Sequence, residues 1–204
     1  MQITTGIRSV LSHAAIYSAF QYMMGAKEGW SLLVNNYIRP KNGDVILDIG
    51  CGPADILEHL PNVEYWGFDI SEEYINKAKK KYGSKGKFFS RMLSISDIEQ
   101  MPKFDLVIAC GVLHHVDNKT ACDLFNLAYI ALKPGGRFVT VDPCFTSDQN
   151  PIAGFLISKD RGKHVRDSSG YESLALSTFA KVVVSVKHKI WIPYTHCYME
   201  CTHT

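Results

Sequence analysis

Residues 45–55 read Val45-Ile46-Leu47-Asp48-Ile49-Gly50-Cys51-Gly52-Pro53-Ala54-Asp55. An apolar run ends in an acid, meets two glycines one residue apart, and continues into a helix-like segment over 53–60. That order predicts a buried strand stopping at a tight turn where the backbone comes close to a ligand. Gly50 and Gly52 remove the side chains that would block such an approach and admit φ > 0 without steric cost. A second apolar stretch, Tyr65-Trp66-Gly67-Phe68-Asp69-Ile70-Ser71, also ends in an acid. In nucleotide-binding α/β folds an acid at the end of the second strand holds ribose hydroxyls. The glycine spacing narrows the ligand. A dinucleotide fold uses G-x-G-x-x-G to seat a pyrophosphate on a helix N-terminus. Here Asp55 stands at the third glycine position and Asp48 just before the turn. Two carboxylates would repel a phosphate. They suit a ligand that has no phosphate and carries a positive charge.

The rest of the chain alternates helices and strands. Apolar spacing predicts helices over 13–24 and 30–38, the second on the stripe Trp30, Leu33, Val34, Tyr37 and Ile38. Ser71 is a good N-cap, with Glu72 and Glu73 in the first turn and Lys79, Lys80, Lys81 and Gly83 at the stop. Further helices are expected over 120–132, from Asn150-Pro151 onward, and over 171–179. Strands are expected over 64–68, 87–92, 104–110, 137–142, 181–190 and 196–202. Alternation of this kind implies a mostly parallel sheet covered on both faces, and the short final connection implies an antiparallel pair.

A chain of 204 residues fits one domain with a continuous core. It divides into an N-terminal helical lid (1–40), a ligand-binding half (41–145), and an insertion followed by a strand hairpin (146–204). The net charge of +2 carries no strong signal for nucleic acid or membrane surfaces. No apolar run reaches the ~18 residues of a membrane span, and the first residues have no signal-peptide core. Six cysteines without a C-x-x-C pair suggest a reduced, cytoplasmic protein. Cys197, Cys201, His196 and His203 lie in an alternating pattern that favours a strand over a zinc site, so no metal is expected.

Four segments in one order resemble the class I S-adenosylmethionine-dependent methyltransferases of the small-molecule branch. They are the acid and G-x-G of Asp48 to Gly52, the acid Asp69, the run Phe104 to Val116 containing Val112-Leu113-His114-His115-Val116, and Leu132-Lys133-Pro134-Gly135-Gly136-Arg137-Phe138. Together they span about half the chain. The resemblance implies a Rossmann-like α/β fold, with seven strands, mostly parallel, an antiparallel last strand and helices on both faces. It implies S-adenosyl-L-methionine as cofactor and S-adenosyl-L-homocysteine as product. Asp69 should accept the two ribose hydroxyls, bidentately as a carboxylate can. Asp48, Gly50, Cys51 and Gly52 should line the methionine end, with Asp48 orienting the amino group. Ile70, Cys110 and Gly111 lie at strand ends around the cofactor, and Met92 and Leu93 should border the adenine. Many relatives carry an acid near the Met92 position, and this chain does not.

Methyl transfer asks mainly for proximity and alignment, worth up to about 7–11 kcal/mol. His115 is the best-placed candidate base, and Asp142 a candidate base or substrate contact. Tyr17 and Tyr22 on the N-terminal helix, and Arg161 and Arg166 in the basic segment after the fifth strand, are the candidate substrate contacts. Arginine forks favour an anionic acceptor. The expected activity is methyl transfer to oxygen or nitrogen of a small molecule, with no nucleic acid or membrane partner, by a monomer or homodimer. The alternatives are an RNA or protein methyltransferase, disfavoured because the Asn/Asp-Pro-Pro-aromatic motif is missing after the fourth strand, and a non-catalytic cofactor-binding subunit.

Overall fold

The computed structural model describes residues 26–158, 162–189 and 194–204. Helix α1 (Ala26–Leu33) runs into a π-helical turn, Val34–Ile38, that ends at Arg39 in left-handed backbone. Then follow β1 (Val45–Ile49), a 3-10 turn (Asp55–Glu58), β2 (Glu64–Asp69), α2 (Glu72–Tyr82) and β3 (Gly86–Ser90). Next come α3 (Ile95–Glu99), β4 (Phe104–Cys110), a second 3-10 turn (Leu113–His115), α4 (Asn118–Ala131) and β5 (Leu132–Phe145). The chain closes with α5 (Pro151–Ser158), β6 (Arg166–Asp167), α6 (Ser168–Leu176), β7 (Lys181–Lys189) and β8 (Tyr194–Thr202).

The strands form one mixed sheet in the order β3-β2-β1-β4-β5-β8-β7, with short β6 pairing the end of β5. β1 to β5 are mutually parallel, and β8 runs antiparallel to both β5 and β7. The expected fold class is therefore the observed one. The order reverses between β1 and β4, so the crevice at their carboxyl ends is the place where such sheets bind ligands.

Alternation within β1 explains the two cores. Ile46 faces one side, with Tyr65, Ile108 and Val139, under α2 and the 26–38 helix. Leu47 faces the other, with Phe68, Val107 and Phe138, under α4 and α6. A strand covered on both faces reads as a continuous apolar run, which is why β4 was legible over its full length. Arg137 fastens the Val34–Ile38 turn to the sheet: it donates to the carbonyls of Tyr37 and Ile38 and pairs with Glu200, which also binds Arg39. Tyr37 stacks on Tyr198 at 4.2 Å.

Several expectations are corrected. The helix over 53–60 is only the 3-10 turn Asp55–Glu58, because Gly52 and Ala54 both hold left-handed backbone and the chain is still turning there. β3 stops at Ser90, so Met92 and Leu93 lie beyond it. β5 extends past 137–142 in both directions: Leu132 pairs with Phe104 before the Lys133–Gly136 excursion, and Cys144 and Phe145 pair with β6. Asp167 caps α6, which starts three residues earlier than expected. The helix over 13–24, with Tyr17 and Tyr22, and the residue Arg161 lie outside the described residues. Among the described residues no helix is long and apolar enough to cross a membrane. All six cysteines are free thiols, and β8 turns Cys197 and Cys201 into the core on the face opposite His196.

Candidate functional site

The glycine turn after β1 is stitched to the end of β2. The amides of Gly50 and Cys51 both donate to the Phe68 carbonyl, at 2.7 and 3.0 Å, and the Gly52 amide donates to Asp69 Oδ2 at 2.9 Å. Asp69 Oδ1 accepts the Ser71 amide at 2.7 Å. Successive amides that would cradle a pyrophosphate in a dinucleotide fold are thus used by the protein itself. The turn offers carboxylates instead, which fits the phosphate-free cation expected from the sequence. Gly50 has no substitute here: its φ is +75°, and a Cβ would lie 2.5 Å from Val112 Cγ2.

The other turn residues divide by where their side chains go. Asp48 is buried and accepts the Tyr65 hydroxyl at 2.5 Å. The Cys51 thiol packs inward beside Gly67, so this residue can contribute only backbone to the ligand side. Cys110 is half-buried at the end of β4, and Gly111, at φ +71°, bonds its amide to the Val141 carbonyl at 2.8 Å. At the neighbouring strand ends, Ile70 and Met92 are 72% and 67% exposed, two apolar side chains open at the edge. Leu93 is different. It is buried in the core, so its expected contact with a ligand ring is confined to backbone. Asp97 is committed elsewhere, closing a capping box with Ser94 and binding Arg91.

The second half of the site forms where the chain leaves β4. The 3-10 turn points His114, not His115, at Asp142 on β5, level with the end of β4. His114 Nδ1 lies 2.7 Å from Asp142 Oδ1, and the same oxygen accepts the His114 backbone amide at 3.1 Å. With Asp142 ionised, the imidazole carries its proton on Nδ1. Burial pushes the Asp142 carboxyl above its ordinary value, and the bonds from His114 oppose that rise. The His115 ring packs 4.0 Å from the His114 ring and is only partly buried. Sequence reasoning missed His114 because two adjacent histidines look alike in a sequence. Only the direction of the 3-10 turn separates them.

The segment after α5 closes over this turn. Gly162 lies so close that a Cβ would sit 2.1 Å from His114 Cδ2 and 2.5 Å from its carbonyl oxygen. The His164 amide donates to that carbonyl at 3.0 Å. Arg166 then uses all its N–H groups on its own chain: Nε and Nη2 bind Asn118 Oδ1, Nη1 binds the carbonyls of Leu113 and His164, and Nη2 also binds Val116. A guanidinium has five donors and no more. The expected role of Arg166 as an anion fork is therefore corrected: it is a strut that ties the Leu113 and Val116 carbonyls of the histidine turn to Asn118 and to its own segment at His164. Arg166→Ala should lower stability by about 2 kcal/mol and Tm by roughly 4–8 °C, and lysine, with one compact ammonium, should not rescue it. A thermal melt of the three proteins checks this.

Known proteins match this arrangement. A profile described as "Methyltransferase domain" covers residues 40–193. An O-methyltransferase from Pyrenophora dematioidea is 28% identical over 167 residues, covering 73% of this chain and 62% of that protein. Two solved structures share the fold: the pyocyanin biosynthetic protein PhzM, with a TM-score of 0.70, 14% identity, 99% of this chain and 63% of that one, and the S-adenosylmethionine-dependent methyltransferase SibL in its apo form, with a TM-score of 0.67, 16% identity, 94% and 60%. The chain thus spans about three fifths of the length of these relatives. The profile match over most of the chain, on a sheet of this order with its carboxylate-backed glycine turn, shows that the chain belongs to the methyltransferase-domain family of class I S-adenosylmethionine-dependent enzymes.

Proposed function

We propose that this chain moves a methyl group from S-adenosylmethionine to an oxygen or nitrogen of a small molecule. The observation that carries the reading is the placing of a carboxylate-backed, phosphate-averse turn at β1 beside a histidine–aspartate pair at the ends of β4 and β5. The cofactor, when bound, supplies a methyl group already activated on a sulfonium. The protein's own residues bind, align and exclude water. Asp69 would accept the ribose hydroxyls without giving up its turn. Each carboxylate oxygen has about two acceptor positions, and here each is bonded by one amide. Ile70 and Met92 would bracket the adenine, with the Leu93 backbone behind them. Asp48 and the backbone of Gly50, Cys51 and Gly52 would hold the cationic methionine end, over a floor of Cys110 and Gly111.

On the acceptor side, His115 would receive the proton that an acidic hydroxyl or ammonium acceptor releases. Asp142 would act through His114, whose ring supports that of His115. Tyr17, Tyr22 and Arg161 remain the proposed acceptor contacts, and Arg166 leaves that group. The O-methyltransferase relative supports oxygen as the acceptor atom. Calorimetric titration with S-adenosylmethionine and with S-adenosylhomocysteine, followed by methyl-transfer assays on small phenols, carboxylates and amines, tests the reading. Micromolar binding of both ligands with transfer to a small acceptor is expected. Failure of both to bind would overturn it.

A further inference from the structure

Among the described residues, no cation pairs with the Asp48 carboxylate. It lies on the same sheet face as Tyr65, in the neighbouring strand: Ile46 pairs with Tyr65 and Asp48 with Gly67. Gly67 has no side chain, so the Tyr65 ring can lean along β2 and reach Asp48 diagonally. The hydroxyl donates to Asp48 Oδ2 at 2.5 Å, and the two residues are 1% and 3% exposed. Among the described residues the charge that acts on Asp48 is the Asp69 carboxylate on β2, and Asp48 itself pushes up the Cys51 thiol on the turn and the Cys110 thiol on β4. None of these is positive. A buried carboxylate with one neutral donor and a second acid nearby is poorly compensated for its lost hydration.

We infer that Tyr65 is a positioning residue for cofactor binding: it pins one oxygen of Asp48 and leaves the other to the cationic end of the ligand. The inference rests on the cofactor reading above and deepens it. Its physical content is a linkage. Burial, opposed by the Tyr65 bond and helped by the Asp69 charge, lifts the Asp48 carboxyl to about 7. Between about pH 4 and its midpoint the folded protein therefore holds a proton that the unfolded chain has already lost. The stability from this group is fully present below about pH 4 and fades as pH rises through about 7. A bound sulfonium or ammonium favours the ionised form. Cofactor affinity should accordingly rise with pH up to the midpoint and level off above it, with about one proton released per ligand bound at the acid end.

Tyr65→Phe keeps the ring in the core and removes only the hydroxyl. Without that bond the Asp48 midpoint should move up by about one pH unit, as the loss of one hydrogen bond to a charged group implies. Two measurements test this. The first is carboxyl carbon-13 NMR titration of Asp48 in the ligand-free protein, wild type against Tyr65→Phe, with Asp48→Asn assigning the resonance. The second is calorimetry with S-adenosylhomocysteine from pH 5.5 to 9, in two buffers of different ionisation enthalpy, on the same three proteins. The expected result is an Asp48 midpoint near neutrality that rises in Tyr65→Phe. Affinity in that variant should fall roughly tenfold at acid pH and return to the wild-type value at high pH, and Asp48→Asn should lose the proton release. A Tyr65→Phe binding curve that overlays the wild type, or an Asp48 resonance that titrates in the ordinary carboxylate range, overturns the role of Tyr65 and leaves the cofactor reading standing. Absence of binding at every pH overturns both. A variant whose affinity drops equally at all pH values shows a packing defect and likewise overturns the inference.

Discussion

Alanine at Gly162 is expected to destabilise the fold by about 2–3 kcal/mol, to lower Tm by roughly 5–10 °C, and to abolish most turnover while leaving cofactor affinity near the wild-type value. The magnitude follows from what the added methyl meets. One contact, at 2.1 Å, is the edge of the His114 ring; the other, at 2.5 Å, is the His114 carbonyl oxygen. A flexible side chain can move aside at small cost, but a backbone oxygen cannot. That ring is also held at its far side by Asp142, at 2.7 Å. The clash therefore has to be relieved by lifting the 162–166 segment or by tilting the histidine turn. The first breaks the hydrogen bond from the His164 amide to the His114 carbonyl and disturbs the Arg166 carbonyl contacts, and the second breaks the pair with Asp142. Either way the acceptor side loses its alignment. The glycine turn, bonded to β2 and not to this segment, keeps its own geometry. Thermal melts, calorimetry with S-adenosylhomocysteine and single-turnover methyl transfer read the three quantities separately. A variant with normal turnover would show that the histidine turn needs no support from the insertion.

The two halves of the site differ in how far the sequence discloses them. The cofactor side is written locally: an apolar run, an acid and two glycines specify a strand, its end and a turn within a few residues, and Asp69 repeats the signal one strand later. The proposed acceptor side is written in pairs of residues far apart in the chain. Whether His114 or His115 meets Asp142 depends on how a three-residue 3-10 turn leaves β4 and on a glycine from the other side of α5. Arg166 looked like an anion fork because a sequence displays its charge and hides the carbonyls that use it. Local conflicts misled as well. The helix expected over 53–60 had the right composition, but left-handed backbone at Ala54 denies it a first turn. The resemblance puts Leu93 at the end of the third strand beside a ligand, but that strand ends at Ser90, and beyond it the chain turns Leu93 into the core. The short α3 had a legible Ser94–Asp97 capping box and was missed because the helix after it is barely more than one turn.

Replacing Asp69 with alanine is expected to weaken cofactor binding roughly 10- to 150-fold, the loss appropriate to hydrogen bonds on a charged acceptor. The substitution does two things at once, and the structure says how to separate them. Asp69 is part of the protein's own architecture, bonding Gly52 and Ser71, so its removal loosens the turn even without a ligand. Asparagine is not a clean alternative. Both carboxylate oxygens face amide donors, and a carboxamide would turn its NH2 group onto one of them. The separation comes from changing the ligand instead of the protein. S-adenosylhomocysteine lacking its ribose 2′-hydroxyl should bind the wild type less well than the parent compound, and Asp69→Ala should hardly distinguish the two. The coupling energy of that cycle isolates the hydroxyl contact from the slackened turn, because the slackening is common to both ligands. If the variant and the wild type discriminate equally, the carboxylate serves only to brace Gly52 and Ser71, and the ribose is held by some other group.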